Sequence, residues 1–380
     1  MFTKPKIKVS VCIPVCATED FLEVCLESVA LQELHSADKR KKDWLEIIVV
    51  DDNGFSSMTA SQIVKRFLKR HKKEKIAVSF IQHEKNKGLV EARRTAVYEA
   101  CGDYIMFLDS DDTLPPGAIC ALYEKAAESG ADIVHGLANI CVKGISPDFC
   151  KMTCVCNDDV ENEFLNKRIL DIKSKANRVY SGTLENRAVL DEYLLEEKIS
   201  GFLWGKIFSR DLCLEAFNEI PLCYCIFGED FLTYFYLSYF SKKYVGIKNA
   251  VYNYFVDTGI SSNKKIYDLN EWKKVCSASS VAAILLNWIE EGRCGDSFPL
   301  EGVAQKPELA LERGEGFPRL NEKEIDAVKK NCTSYAANNL AQLKKAVAPE
   351  LQKKAYEMLC DWWGEEMIKN VERGSEKASE

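Results

Sequence analysis

The chain has 380 residues, a formal net charge of −7 at pH 7 and 47% hydrophobic residues. This length predicts two domains, or one large domain with an appendage, and this hydrophobic content excludes a largely disordered chain. Proteins that bind duplex nucleic acid usually present a basic face, so the acidic balance argues against a nucleic-acid partner.

Strand and helix patterns alternate over the first part of the chain, up to about Lys143. Short apolar or β-branched runs predict strands, and capped or amphipathic segments between them predict helices. This alternation predicts an α/β fold with a mostly parallel central sheet and helices on both faces. The predicted strands are Val9–Val15, Ile47–Val50, Ile76–Ile81, Tyr104–Leu108 and one starting at Ile133; the predicted helices begin with a cap at Thr18, run over Met58–Arg70 and Gly88–Ala100, and lie between Pro115-Pro116 and Gly130.

The chain after about residue 143 shows a different pattern. Its pattern is polar and irregular at first, then mixed, and finally helical with a Gly-rich polar linker between helices. The predicted pieces are irregular structure over 144 to about 180, helix over Leu184–Glu197, an aromatic helix over Phe231–Phe240, a strand over Tyr244–Phe255, helices over Trp272–Ile289 and Glu322–Trp363, and a linker at 291–318.

Two acidic clusters stand at the ends of predicted strands. Asp51-Asp52 follows the second strand, and Asp109-Ser110-Asp111-Asp112 follows the fourth. Ligands of parallel α/β sheets bind at the carboxyl ends of the strands. Adjacent carboxylates repel one another, and Mn²⁺ or Mg²⁺ shared with a diphosphate relieves that repulsion. The residues alone also leave open a solvated Asp-rich turn, or an N-cap before Pro115.

Common nucleotide-binding loops are missing. No G-x-G-x-x-G follows the first strand, which argues against a Rossmann dehydrogenase. Gly201–Lys206 is one residue short of a P-loop, and Ile207 stands where Ser or Thr would bind magnesium.

Seven segments taken together resemble the family-2 glycosyltransferases, which have the GT-A fold. They follow the order of the family's motifs and include its DxD strand: Val9–Val15, Leu26–Gln32, Glu46–Asp52, Asn86–Gly88 with Ala92-Arg93, Gly102–Asp112, Trp204–Phe208 and Gly228–Asp230. The resemblance implies a GT-A domain over residues 1–262, with a nucleotide-sugar part at 1–143 and an acceptor part at 144–262. A helical C-terminal region at 263–380 would follow.

The resemblance also implies roles for single residues. Asp230 would be the catalytic base, with Glu229 as the alternative, and Asp111 would hold the metal, with Asp112 as a substitute. The acceptor side would include Trp204 and Lys206, although a packed aromatic and a plain salt bridge are equally compatible with these two. Contacts to the nucleotide sugar would come from Pro14, Asp52, Arg93, Asp109 and Ser110, of which Asp52 would read the ring NH of the base.

Three positions depart from the family's usual pattern. Cys16-Ala17 stand where Tyr-Asn is common, and that Tyr can stack on the base of the nucleotide. Asn53-Gly54 replaces Gly-Ser, and Arg94 stands where Asn is frequent. None of these changes removes a carboxylate that the chemistry needs.

The resemblance implies an inverting glycosyltransferase that uses a nucleotide-diphosphate sugar, typically a UDP-sugar. The acceptor would be a saccharide or lipid-linked glycan in bacterial surface polysaccharide synthesis. A sugar nucleotidyltransferase and a non-catalytic carbohydrate- or nucleotide-binding relative are the alternatives. A nucleotidyltransferase would usually carry a Gly-rich basic loop at Cys16–Phe21, and the intact acidic pairs argue against a non-catalytic relative.

The first residues contain no signal-peptide core, and no stretch approaches the ~20 apolar residues of a membrane helix. We therefore expect a soluble cytoplasmic protein, with the inner face of the membrane as a further option. Two basic runs, Lys39–Lys42 and Arg70–Lys73, predict solvated charge, with contact to anionic lipid as the alternative. Self-association through the C-terminal helices, giving a homo-oligomer, is also left open.

The chain contains 16 cysteines. In a cytoplasmic protein we expect reduced thiols packed as small hydrophobic groups. Zinc is the alternative for Cys150, Cys154 and Cys156, with Cys141 nearby, although their spacing differs from the usual paired ligands.

Overall fold

The computed structural model describes residues 7–35, 43–54, 59–74, 76–142, 163–256, 265–290 and 319–377. The chain divides into two compact units. The sheet unit comprises Met1–Leu214 and Leu237–Asn263, and the helical unit comprises Glu215–Tyr236 and Lys264–Glu380.

The sheet unit is built on eight strands: β1 Val9–Val15, β2 Leu45–Asp51, β3 Ala77–Gln82, β4 Tyr104–Phe107, β5 Ile133–Val142, β6 Thr183–Glu185, β7 Lys206–Ser209 and β8 Lys243–Val256. They form one sheet in the order β3-β2-β1-β4-β7-β5-β8-β6. Strands β3, β2, β1 and β4 are parallel, β5 is parallel to β8, and β7 runs antiparallel to both β4 and β5. This mixed α/β sheet confirms the predicted fold class.

Thirteen α-helices lie within the described ranges. They are α1 Glu19–Ala30, α2 Thr59–Arg70, α3 Leu89–Glu99, α4 Ala118–Ser129, α5 Glu163–Ala176, α6 Arg187–Leu194, α7 Arg210–Glu219, α8 Glu229–Phe240, α9 Leu269–Cys276, α10 Ser279–Glu290, α11 Glu322–Ala346, α12 Gln352–Trp363 and α13 Glu365–Lys377. Helices α9 to α13 belong to the helical unit, while α7 and α8 span the boundaries between the units.

The central strands place the acidic clusters at one edge of the sheet. Every residue of β1 and β2 is buried, as expected for parallel strands covered on both faces. Cys12 of β1 lies opposite Ile48 of β2 on one side and Phe107 of β4 on the other. The carboxyl ends of β2 and β4, and the acidic residues that follow them, therefore lie at the same edge.

Two long predicted helices are interrupted in the structure. The predicted helix over Trp272–Ile289 is two helices, and between them the hydroxyl of Ser277 accepts hydrogen bonds from the N–H groups of Ile226 and Phe227 at 3.0 and 3.4 Å. The predicted helix over Glu322–Trp363 breaks at Val347 and Ala348, before Pro349. Proline disfavours helical backbone in the residue before it, and Ala348 is extended.

Other predicted elements were wrong at places where contacts with residues distant in sequence determine the secondary structure. Leu184 belongs to β6, so the helix predicted from this residue begins only at Arg187. The segment predicted as irregular contains α5, and β7 was not predicted at all. The predicted linker at 291–318 lies outside the described residues.

The structure describes only some of the residues in the predicted basic runs and in the predicted cysteine cluster. Arg70 pairs with Glu23 and Glu27 of α1, while the run at 39–42 lies outside the described residues. Cys141 is buried, and Cys150, Cys154 and Cys156 are outside the described ranges. None of the helices in the described part of the chain has the length and apolar character needed to cross a bilayer.

A buried carboxylate fixes the edge of the sheet opposite the acidic clusters. Glu46 is 8% exposed and accepts hydrogen bonds from the Ser10 hydroxyl at 2.5 Å, the Cys101 N–H at 2.6 Å and the Gly102 N–H at 3.2 Å. A Cβ at Gly102 would lie 2.6 Å from the Ser10 hydroxyl oxygen, so only glycine fits there. Glu46 thereby holds β1, β2 and the entry to β4 together.

We expect Glu46→Ala to lower the free energy of unfolding by about 3 kcal/mol or more, because it leaves buried donors without an acceptor. The matched control is Glu99→Ala, which removes the same charge from an exposed position nearby and should change stability by less than about 0.5 kcal/mol. Urea denaturation measures both. Equal effects of the two substitutions would show that Glu46 is not an anchor.

Candidate active site

Three carboxylates follow β4, and they differ in their exposure to solvent. The Asp109 side chain is 27% exposed, Asp111 is half-buried and Asp112 is 1% exposed. Asp109 and Asp111 are thus the members of the cluster that can present oxygen atoms to a ligand.

Asp112 is bound from inside the protein. One carboxylate oxygen, Oδ2, accepts a hydrogen bond from the Tyr252 hydroxyl at 2.8 Å, and the other, Oδ1, accepts one from the Phe255 N–H at 2.8 Å. Burial, followed by the charges of Asp111 and Asp109, raises the pKa of Asp112 well above its ordinary value. This environment suits an anchor of the turn better than a metal ligand, so the geometry favours Asp111 over its predicted substitute.

Tyr252 ties the acidic turn to β8. Besides donating to Asp112, its hydroxyl accepts a hydrogen bond from the Asp109 N–H at 3.1 Å. The sequence pattern did not identify Tyr252 as part of the site, because this residue lies inside an ordinary predicted strand about 140 positions from Asp109 and Asp112. Its only sequence signal is its place on β8, and the pairing of β8 with β5 is a product of the folded sheet.

The two predicted acceptor-side residues are buried. Trp204 is 4% exposed and stacks on Phe202, Tyr252 and Tyr254, with ring centroids 4.6, 4.8 and 5.3 Å away. Lys206 is 0% exposed, and its ammonium donates to the Phe202 carbonyl. Trp204 packs against one face of the Tyr252 ring. This arrangement agrees with the alternative that Trp204 is a packed aromatic residue.

Arg93 and Ser110 fix the start of the acidic turn. The buried guanidinium of Arg93 donates to Asp109 at 3.2 Å and lies over the ring of Phe107. The Ser110 hydroxyl lies 2.6 Å from the Thr18 hydroxyl. Thr18 precedes α1 as predicted, but its side chain makes no capping hydrogen bond, because it is engaged with Ser110 instead.

Asp52 is enclosed by the beginning of the third helix. Its carboxylate is 2% exposed and accepts hydrogen bonds from His83 at 2.6 Å and from the N–H groups of Lys87 and Gly88, each at 2.9 Å. Asp52 therefore fixes the approach to α3, and its reading of a nucleotide base stays a prediction.

Two of the three departures from the family's pattern, Cys16-Ala17 and Asn53-Gly54, lie beside Asp52, whereas Arg94 pairs with Glu91 inside α3. The Asn86 amide donates to the Cys16 sulfur at 3.3 Å and to the Asp52 carbonyl at 3.0 Å. Ala17 has a φ of 56° and donates its N–H to the Asn53 side chain at 2.9 Å. Pro14 is buried within β1, opposite Val50. The structure thus brings Pro14, Asp52 and the Cys16-Ala17 turn to one place.

The predicted base residues belong to the helical unit. Glu229 and Asp230 stand in the first turn of α8, where a carboxylate is stabilised by the helix dipole. Glu229 is 9% exposed, and Asp230 is half-buried. Gly228 before them has a φ of 81°, and a Cβ there would lie 3.1 Å from the ring of Tyr335. Burial, followed by the charges of Glu229 and Asp230, raises the pKa of Tyr335.

Comparison with known proteins relates residues 10–149 to the sequence profile described as "Glycosyl transferase family 2". The putative glycosyltransferase EpsH of Bacillus subtilis is 26% identical over 251 residues, covering 65% of this chain and 60% of EpsH. The poly(ribitol-phosphate) beta-glucosyltransferase of Bacillus spizizenii is 34% identical over 157 residues, covering 41% of this chain and 22% of that enzyme. The chain spans between 16% and 60% of the length of the first curated relatives it matches.

Among solved structures, TarS of S. aureus in complex with UDP-GlcNAc matches with a TM-score of 0.48 and 15% sequence identity. The match covers 97% of this chain and 92% of the TarS chain.

The enclosure of Asp112 has a measurable consequence for pH dependence. Because folding raises its pKa, the folded chain holds this proton more tightly than the unfolded chain, and stability falls as pH rises above the ordinary value near 3.8. Asp112→Asn removes the titration and keeps the shape. In chelator, we expect the stability of the variant relative to wild type to increase as pH rises from about 4 to about 8.

The control is Asp171→Asn, at an exposed position on α5, for which the difference from wild type should change little with pH. Urea denaturation across the pH range measures both. A constant loss of stability in Asp112→Asn at every pH would contradict the assignment.

Proposed function

Residues 10–149 of this chain belong to glycosyl transferase family 2, and on that premise we propose that the protein is an inverting, metal-dependent glycosyltransferase. Its donor is a nucleotide-diphosphate sugar, with UDP as the nucleotide. Its acceptor is a saccharide or lipid-linked glycan in the synthesis of a bacterial surface polysaccharide.

The turn after β4 is the observation that supports this proposal best. Asp109 and Asp111 remain accessible at the carboxyl edge of the sheet, while Asp112 is held inside. The carboxylate of Asp111 is the kind of hard oxygen ligand that Mn²⁺ and Mg²⁺ prefer, with phosphate and water supplying the rest, and Asp109 would contact the nucleotide sugar beside it. When bound, the metal would neutralise the charge that grows on the diphosphate leaving group.

The surrounding residues would position the donor. Arg93 would keep the carboxylate of Asp109 oriented, since its guanidinium is buried, lies over the ring of Phe107 and donates to Asp109. The enclosed carboxylate of Asp52 holds the segment 86–88 beside the Cys16-Ala17 turn, where we place the nucleotide base. A site held by buried hydrogen bonds needs little reorganisation when the ligand binds.

Asp230 is proposed as the base that accepts the proton of the acceptor hydroxyl while that oxygen attacks the anomeric carbon. It is the more exposed of the two acidic residues at the start of α8. Its place at a helix N-terminus favours the ionised form that proton acceptance requires.

The names of two relatives support a polymeric acceptor. One is a poly(ribitol-phosphate) beta-glucosyltransferase, and another is the poly(ribitol-phosphate) beta-N-acetylglucosaminyltransferase TarP of Staphylococcus aureus. We place the reaction in the cytoplasm, and a lipid-linked acceptor would bring it to the inner face of the membrane. A screen of nucleotide sugars that measures release of the nucleoside diphosphate identifies the donor.

We expect UDP to bind in a Mn²⁺- or Mg²⁺-dependent manner, because bare carboxylates repel its phosphates. Asp111→Asn should abolish the gain in affinity that the metal provides. Asp171→Asn is the matched control, since it makes the same change at an exposed position on α5 and should keep that gain. Calorimetry with and without chelator measures each case.

Equal UDP affinity of the wild type in metal and in chelator would contradict the metal site. If a guanosine or cytidine nucleotide binds instead of UDP, the Cys16-Ala17 departure accounts for the change of base.

We expect Asp230→Asn to lower sugar transfer by roughly 10²-fold or more, because it removes the proton acceptor and keeps the shape. Asn also caps helices well, so the melting temperature and the affinity for the donor should stay near wild type. Glu229→Gln is the comparison that separates the two acidic residues. Transfer at close to the wild-type rate in Asp230→Asn would exclude it as the base, and a large drop in melting temperature would indicate a capping role.

A further inference from the structure

We propose that His35, Cys120 and Glu124 form a second metal site in the sheet unit, of a kind that takes Zn²⁺. One ligand atom from each residue lies within 4.8 Å of the other two. This group uses none of the residues of the acidic turn after β4.

The distances fit a tetrahedral ion. The Cys120 sulfur is 3.3 Å from Nδ1 of His35, and the same nitrogen is 3.2 Å from a carboxylate oxygen of Glu124. Zinc binds sulfur at about 2.3 Å, and nitrogen or oxygen at about 2.0–2.2 Å, so neighbouring ligands of a tetrahedral site lie roughly 3.3–3.6 Å apart. Small side-chain rotations would therefore bring all three atoms into a first coordination sphere.

A buried glutamine, Gln32, holds the segment that contains His35 against the helix that contains Cys120 and Glu124. Cys120 and Glu124 are four residues apart on α4, so they lie on the same face of that helix. Gln32, just beyond α1, donates to the Pro115 carbonyl at 3.0 Å and accepts from the Ile119 N–H at 3.2 Å. The chain after α1 is thereby fixed against the start of α4, and His35 follows three residues later.

One of the three ligands is buried and the other two are exposed to solvent, an arrangement that would allow a bound metal ion to exchange. Cys120 is 5% exposed, whereas the side chains of His35 and Glu124 are 83% and 41% exposed. The thiol gives a fixed position on the protein, and the two outer ligands can close over an ion. Three protein ligands leave the fourth position of a tetrahedral ion to water.

The donor set selects the class of metal. Thiolate and imidazole favour Zn²⁺ and similar ions, whereas Mg²⁺ and Mn²⁺ prefer oxygen. Binding would release the proton of the Cys120 thiol and require His35 in its neutral form. The protein would thus carry a hard-cation site at the acidic turn and a softer site between α1 and α4. Without an ion, the same three groups form a hydrogen-bonded cluster, and this is the competing explanation.

Co²⁺ is the probe that separates the two explanations. Titration of the reduced, metal-free full chain with Co²⁺ should produce a near-ultraviolet thiolate-to-cobalt band together with visible bands of tetrahedral cobalt, saturating at one ion per chain. Zn²⁺ should then displace the cobalt and remove these bands. Cys120→Ser should abolish the thiolate band.

His35→Ala and Glu124→Gln should each weaken binding by roughly tenfold or more, since even the loss of outer-shell partners costs about 10–100-fold. Two controls should keep the bands: Cys101→Ser, which removes an exposed thiol elsewhere, and Asp111→Asn, which alters the acidic turn. Circular dichroism confirms that each variant is folded. Absence of the thiolate band in the wild type, or its persistence in Cys120→Ser, would overturn the proposal in favour of the hydrogen-bonded cluster or a different thiol.

Discussion

The Tyr252 hydroxyl accepts a hydrogen bond from the Asp109 backbone and donates one to the Asp112 carboxylate, so a single group joins both ends of the acidic turn. The conformation of the acidic turn, and with it the proposed metal site, depends on this link. With Asp112 drawn inward, the two remaining carboxylates face the edge of the sheet where ligands of this fold class bind. The ring of Tyr252 is in turn supported by Trp204. The three acidic residues within Asp109–Asp112 thereby obtain different environments with the help of one long-range contact.

Buried carboxylates recur in the sheet unit as structural anchors. Asp52 closes the approach to α3, Asp112 closes the turn after β4, and Glu46 fastens the opposite edge of the sheet. Each accepts a hydrogen bond from at least one backbone N–H group, which offsets part of the free-energy cost of burying the carboxyl group; at Asp112 burial outweighs these bonds and the pKa is raised. Such anchors give the loops at the carboxyl edge a defined shape before any ligand arrives. Electrostatic stabilisation of a leaving group is most effective in a site that is already organised in this way.

The two proposed metal sites illustrate how ligand chemistry follows local structure. The acidic turn offers carboxylates at the end of a parallel strand and suits a hard cation shared with phosphate. The site between α1 and α4 combines a buried thiol with an imidazole and one carboxylate, and it suits a softer ion. Neither site requires the other, because their residues are held by separate contacts, through Tyr252 in one case and Gln32 in the other.

The sequence by itself determined the α/β class, the positions of β1 to β4 and the resemblance to the family-2 glycosyltransferases, because fully buried strands and ordered motifs leave local patterns. It also placed the acidic clusters at the strand ends. Only the tertiary structure separated Asp112 from Asp111, buried Trp204 and Lys206, enclosed Asp52 and turned the Thr18 hydroxyl toward Ser110. Apart from the break before Pro349, which the proline itself imposes on the preceding residue, it likewise split the predicted helix over Trp272–Ile289 at Ser277 and created α5 and β7 where no pattern indicated them. The physical reason is the same in each case: these outcomes depend on partners such as Tyr252, Phe255 and His83, which are distant in sequence and become neighbours only when the sheet forms.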